Sequence, residues 1–420
     1  MGMNITEKII VFHSENSHVS PGELVEVEVD MALANDITAP LSIRALEKHG
    51  INRIADPNRI ALVADHNTPC KDIASAENVA LMRRFARTHT IPYFFEGGEV
   101  GIEHVLLPER GLVIPGDLVV GADSHTCTYG ALSAFSTGMG STDIAGAWAL
   151  GRTWLKVPES IKFLYKGNKR PFVTGKDLIL YTIGEIGVDG ARYCAMEFCG
   201  PVISSLSMDE RFTMANMAIE AGAKNGIMEA DNLTLEYVSS TGTTRQPVVY
   251  SSDPDAEWKN VYQINTSFIE PQVALPHLPE NTRSVYAISR TEISQAVIGS
   301  CTNGRIDDLR MAASVLKSRS VNPGVRLYIF PGSPSVLMHA EREGLVKIFL
   351  RAGAVLCPPS CGPCLGGHLG VLAAGERSIS TTNRNFIGRM GHPESEVYLS
   401  NPFVAAASAV AGYITAPDKL

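Results

Sequence analysis

The segment Ala296-Val297-Ile298-Gly299-Ser300-Cys301-Thr302-Asn303-Gly304-Arg305 passes from a short apolar run into a polar turn, and a helical stretch fits over 307–316. A buried strand that stops at a turn before a helix is the unit from which parallel sheets are built. The unit recurs in both directions. Apolar runs at 60–64, 118–120 and 325–330 stop at or just before Asp65-His66, Asp123-Ser124-His125 and Pro331-Gly332, and a run at 354–356 leads toward Cys361. Residues 24–30 alternate Val25, Val27 and Val29 with acids, as a half-exposed strand does, and a helix fits 144–155 with Ser141 or Thr142 as its cap. Strands alternating with helices imply an α/β fold of mainly parallel sheets covered on both faces. In such folds ligands bind at the carboxyl ends of strands, where these polar residues repeatedly fall.

Three α/β regions are expected: 1–156, 157–269 and 270–420. The first boundary rests on a change of pattern near Lys156-Val157-Pro158, the second on a Pro-rich polar stretch over 270–281. At 420 residues the chain can bury a large core. A net charge of −8 without a Lys/Arg-rich stretch argues against nucleic-acid binding, so an anionic substrate would need local arginines. The uncharged stretch 403–416 is Ala-rich and too short to span a membrane, and reads as a buried helix after Pro402. Eight irregularly spaced cysteines without a signal peptide point to a reducing, cytoplasmic setting, with thiols or metal rather than disulfides.

Three of those cysteines carry candidate chemistry: Cys301, and the pair in Pro359-Ser360-Cys361-Gly362-Pro363-Cys364. A [4Fe–4S] cluster takes one thiolate per iron, so three protein thiolates leave one iron open to water or a substrate oxygen, able to act as a Lewis acid. The pair by itself also has the form of a thioredoxin-type redox site, and with His368 and Cys301 it could bind structural zinc. On the pair alone, zinc or redox is about as well supported as a cluster, though a redox pair leaves Cys301 unexplained. Cys70, Cys127, Cys194, Cys199 and Cys357 read as buried or supporting thiols.

The surrounding segments resemble the aconitase superfamily along nearly the whole chain. Gly299-Ser-Cys-Thr-Asn-Gly304 and Cys361-x-x-Cys364 are similar to its cluster segments, and Asn383-Arg-Asn-Phe-Ile-Gly-Arg389 to its substrate-carboxylate segment. Ala64-Asp65-His66, Gly101-Ile-Glu-His104, Ala122-Asp-Ser-His-Thr126 and Glu197-Phe-Cys-Gly-Pro201 resemble its acid–base and hydrogen-bonding segments, in the family's order. Within the superfamily the compact chain is most similar to the large subunits of two-subunit 3-isopropylmalate dehydratases and homoaconitases. The resemblance implies three α/β/α regions around one [4Fe–4S] cluster held by Cys301, Cys361 and Cys364. It implies a hydro-lyase that interconverts 2- and 3-hydroxy acids, with a small di- or tricarboxylate as substrate.

Residue roles follow from the same resemblance. His66, held by Asp65, would protonate the leaving hydroxyl; Asp123, Ser124 and His125 would line the metal-bound water and substrate; His104 with Glu197 would form a second His–carboxylate unit. These are the residue types proton delivery needs, because a carboxylate beside imidazole fixes its tautomer and raises its pKa. Arg384 and Arg389 can bind carboxylates with paired hydrogen bonds. Asn303 and Asn383 suit hydrogen bonds to cluster sulfur or substrate, and Asn35 falls where relatives place Gln or His against substrate. Gly138-Met-Gly140 is better read as tight packing than as a phosphate loop. Single-chain aconitases carry a fourth, swivelling domain with a Ser base and further arginines. A separate small subunit is therefore expected here, in a heterodimer or heterotetramer.

Overall fold

The computed structural model describes residues 2–420 and has the α/β architecture expected from the strand–turn–helix pattern. Two compact units form. One gathers the chain up to Glu99 with Leu106–Tyr165 and Ala191–Ile264; the other comprises Val100–Val105, Lys166–Gly190 and Asn265–Leu420.

The first unit contains a five-stranded sheet in the order Tyr93–Phe95, Ile60–Val63, Met31–Asn35, Leu118–Gly121, Phe135–Gly138. Every neighbouring pair is parallel. Its central strand, Met31–Asn35, is buried at all five positions, which is what two covered faces require of a strand. The chain adds two strands on one side of it and then two on the other. The order therefore reverses between Met31–Asn35 and Leu118–Gly121. A four-stranded sheet follows, in the order Asn225–Ile227, Cys194–Cys199, Glu159–Lys166, Asn260–Asn265.

One expected element is corrected. The helix expected over 144–155 spans Ser141–Leu150, and Arg152–Lys156 is a strand paired antiparallel with Leu24–Glu28. Gly151, at φ +71°, ends the helix in a left-handed conformation. Beyond it, Thr153 and Leu155 face inward opposite Val27 and Val25, and alternation replaces helical spacing.

The second unit is built on a seven-stranded sheet: Thr282–Ser284, Gln272–Ala274, Glu396–Ser400, Arg377–Ser380, Gln295–Gly299, Arg326–Phe330, Val355–Leu356. Only the pairings of Gln272–Ala274, to its two neighbours, are antiparallel. Strand order again reverses, between Gln295–Gly299 and Arg377–Ser380. Helix Ile306–Leu316 buries Leu309, Ala312, Ala313 and Leu316, a stripe at i, i+3, i+4 and i+7, in one core with Ile298, Leu327, Ile329 and Ile379. Each Leu or Ile so buried contributes about 1.5–3 kcal/mol. The helix expected over 403–416 spans Pro402–Ala411 and ends at Gly412, φ +84°. Among the described residues no helix is long and apolar enough to cross a membrane.

Candidate active site

The reversal point of the seven-stranded sheet carries the Cys301 turn, and Cys361 and Cys364 follow the edge strand Val355–Leu356. At the end of Gln295–Gly299 the backbone turns sharply: Gly299 has φ +134° and Ser300 φ +100°. A Cβ on Gly299 would lie 2.2 Å from the Phe330 carbonyl oxygen, so glycine is required there. Ser300 accepts this region at a cost of about 1–3 kcal/mol, held by a hydrogen bond from the Thr302 N–H to its Oγ at 3.2 Å. The turn delivers Cys301 to the carboxyl end of the sheet. Gly299→Ala is expected to lower stability by about 2–4 kcal/mol, measured by thermal unfolding of the metal-free chain.

The partner turn, beyond Arg377–Ser380, supplies Asn383. Its Nδ2 donates to Cys301 Sγ at 3.3 Å and to Thr302 Oγ1 at 2.9 Å, while Cys364 Sγ lies 3.7 Å from its Oδ1. One amide thus reaches two cysteines that are 63 positions apart in sequence (301 and 364). Arg389 Nη2 lies 3.7 Å from Cys364 Sγ, and Arg384 is half-buried on the same turn. Cys361, Cys364 and Cys301 are all buried. Gly362, between the pair, has φ +61°, and a Cβ there would come within 2.8 Å of the Phe330 ring. Asn383 Nδ2 on Cys301 and Arg389 Nη2 on Cys364 are N–H donors aimed at buried sulfur, which stabilise negative charge on it, so these two donors fit a thiolate-bound iron–sulfur cluster.

Asn303 does something different. Its Nδ2 donates to Asp308 Oδ1 at 2.8 Å and its Oδ1 accepts from Lys176 Nζ at 3.2 Å. Buried Arg305 donates to the Cys301 carbonyl at 3.1 Å and to the His104 carbonyl at 2.8 Å, tying the two backbones together. His104 is buried, and its Nε2 lies 3.7 Å from Glu103 Oε1, too far for a hydrogen bond.

The first unit's reversal point carries the acid–base segments. After Ile60–Val63, His66 Nδ1 is 2.7 Å from Asp65 Oδ1, with Asp65 fully buried. Asp36, one residue past the central strand, accepts from the His66 backbone N–H at 2.8 Å and from Asn67 N–H at 2.9 Å. His66 is held at both backbone and ring, which fixes the proton on Nδ1 and makes Nε2 the working nitrogen. Asn35 is drawn into its own turn: its Oδ1 accepts from Ile37 N–H, Thr38 N–H and Thr38 Oγ1 at 3.1–3.2 Å.

After Leu118–Gly121, Asp123 caps the following turn by accepting from His125 N–H at 2.7 Å, and its Oδ1 lies 3.4 Å from the ring Nδ1. Ser124 Oγ is 3.5 Å from the same nitrogen. The close carboxylate partner of the His125 ring is Glu220, at 3.0 Å from Nε2. Glu197, on strand Cys194–Cys199, accepts from Ser252 Oγ at 2.6 Å, and burial pushes its pKa up to about 7. Sequence reasoning missed Asp36, Lys176, Glu220 and Ser252. Only Asp36, an acid at a strand end, carried a local signal.

A family model described as the aconitase family (aconitate hydratase) matches residues 7–290 and 281–412. The 3-isopropylmalate dehydratase large subunit of Moorella thermoacetica is 60% identical over 420 residues, covering 100% of both chains. The 3-isopropylmalate dehydratase large subunit 1 of Pyrococcus furiosus is 58% identical over 421 residues, 100% of this chain and 99% of its own. A solved structure, the holo-form of Thermococcus kodakaraensis aconitase X, has a TM-score of 0.49 at 12% identity over 85% of this chain and 84% of that one, too distant to carry weight. The cysteine turns and the His–carboxylate segments all fall within the matched residues, and the relatives match from end to end: the chain belongs to the aconitase family.

Proposed function

We propose that this chain is the large subunit of a [4Fe–4S] hydro-lyase that interconverts 2- and 3-isopropylmalate through an unsaturated acid, in leucine biosynthesis in the cytoplasm. Relatives of the same length at 58–60% identity carry the name 3-isopropylmalate dehydratase large subunit. The observation that carries the reading is the pair of N–H donors on buried sulfur, Asn383 Nδ2 on Cys301 and Arg389 Nη2 on Cys364. A dithiol redox site would need only Cys361 and Cys364, and both are buried away from a partner disulfide. The three-region division, 1–156, 157–269 and 270–420, belongs to the same reading and is supported by one sheet of three or more strands in each region.

Cys301, Cys361 and Cys364 would hold one cluster per chain. When bound, the cluster supplies a Lewis-acid iron that stabilises charge on the substrate's carboxylate and hydroxyl oxygens. The chain's own residues do the rest. Arg384 and Arg389 bind substrate carboxylates through planar guanidinium groups. Asn383 and Asn303 orient the turns around the thiols, and Asn35 bounds the strand-end crevice. His66 Nε2, with Asp65 on Nδ1, delivers the proton to the departing hydroxyl. Asp123, Ser124 and His125 hold the water, with Glu220 steadying the imidazole. His104 and Glu197 are assigned as further acid–base groups. A carboxyl titrating near 7, as burial makes Glu197 do, can exchange a proton under neutral conditions.

The test is turnover by anaerobically reconstituted chain, with a small subunit, on 3-isopropylmalate, homocitrate and methylmalate-type acids. The highest kcat/KM is expected on 3-isopropylmalate; a preference for either other substrate would reassign it. His66→Ala is expected to lower kcat by about 10²–10⁴-fold with iron content unchanged, because proton delivery matters only as the hydroxyl leaves. Near-normal kcat would remove His66 from this role.

A further inference from the structure

The first turn of helix Gly175–Ile186 carries a lysine that none of these roles uses. Lys176 is fully buried, and its Nζ donates to Asn303 Oδ1 at 3.2 Å, to the Thr381 carbonyl at 2.8 Å and to the Thr382 carbonyl at 2.6 Å. One ammonium therefore spans the two turns at the reversal point. Asn303 lies two residues after Cys301, and Thr382 immediately precedes Asn383.

Its three hydrogens meet three oxygens, so hydrogen bonding is satisfied, but its charge is not. All three acceptors are neutral. A cation at a helix start also sits at the positive end of the helix dipole. Burial pushes the lysine pKa down to about 7, opposed by Asp308, Cys301, Asp177 and Cys364. Both carboxylates are already engaged. Asp308 accepts from Asn303 Nδ2 and from Arg305 N–H at 3.0 Å. Asp177 accepts from Thr174, from Gln272 N–H at 2.7 Å and from Asn401 Nδ2 at 2.8 Å. The sulfurs become charged only when they give up their protons to bind metal.

We propose that Lys176 is a positioning residue that holds both turns and, alongside the Arg389 and Arg305 guanidiniums, supplies buried positive charge balancing the Cys301 and Cys364 thiolates in the cluster-bound chain. The proposal rests on the cluster reading above and adds a residue to it. A buried charge without an opposite partner costs several kcal/mol, so cluster and lysine each make the other's burial tolerable. Taking the charge away makes the reduced, more negative cluster harder to form. A lower reduction potential follows, and weaker retention of iron.

The experiment uses full-length chain, reconstituted anaerobically with iron and sulfide, as wild type and Lys176→Met. Because Lys176→Met also takes a positive charge from the surroundings of Asp308, Asp308→Asn and the double variant form a second, charge-balanced comparison. Midpoint potential and rate of iron loss to a chelator are read in both backgrounds. Loss of Lys176 is expected to lower the potential and to speed iron loss about ten-fold in each. A purely structural lysine would leave the potential of the loaded cluster unmoved. An unchanged potential in the double variant relative to Asp308→Asn overturns the proposal even where Lys176→Met does not fold. A wild-type chain that takes up no iron and sulfide instead overturns the cluster reading itself.

Discussion

Cys301→Ser protein, purified and reconstituted without oxygen, is expected to fold, to retain no stable cluster and to lose dehydration activity by roughly four orders of magnitude or more. The hydroxyl is nearly isosteric, so the strained turn at Gly299 and Ser300 survives. It is also a much weaker base toward iron than a thiolate, and two remaining thiolates do not close the coordination of the cluster's protein-bound irons. Cys357→Ala and Cys199→Ala are the matched controls and should keep full iron content. Burial pushes both thiols up to about 11, so they stay protonated and are poor metal ligands at neutral pH. Iron and sulfide per chain, with the visible absorbance, check all three variants. A coloured or active Cys301→Ser protein would sink the three-thiolate assignment.

The segment 296–316 was readable because its signals are local. A continuous apolar run, a Gly-Ser turn and a helical stripe each need only a few neighbours, and all agree. Residues 152–156 were not readable in the same way. Their partner strand lies at 24–28, and without it the inward positions of Thr153 and Leu155 continue a helical pattern equally well. Gly151 was the available clue.

The site divides along the same line. Asp65 and His66 are adjacent in sequence, so their pairing needed no fold. Glu220 reaches His125 across 95 positions, and no local rule selects it over any other glutamate. Asn303 and Asn383 were chemically interchangeable on paper. The fold separates them, sending one to the thiols and the other to Lys176 and Asp308. Lys176, in the first turn of a helix with a Thr174–Asp177 capping box, has the sequence setting of an ordinary solvent-exposed lysine. Its burial is a tertiary fact.

The cluster-loaded chain alone is expected to be nearly inactive on 3-isopropylmalate, and addition of a small subunit to raise kcat by about 10²-fold or more. The relatives it matches over their full length are named large subunits, which is the reason to expect a second polypeptide. The chemistry gives the magnitude. Dehydration needs an acid for the departing hydroxyl, groups for the carboxylates and a base for the C–H proton. His66 with Asp65 is assigned to the first and Arg384 with Arg389 to the second, while the base is assigned to the partner. A positioned base contributes orders of magnitude, and a covering subunit also excludes water from the crevice, strengthening every charge interaction inside it. Iron content should not change on adding the partner, because all three proposed thiolate ligands come from this chain. Exchanging the partner for one from a homocitrate-directed enzyme should shift which hydroxy acid is dehydrated, if the pocket for the substrate's third substituent lies there. Full turnover by the chain alone would defeat the two-subunit reading and place the base within these 420 residues.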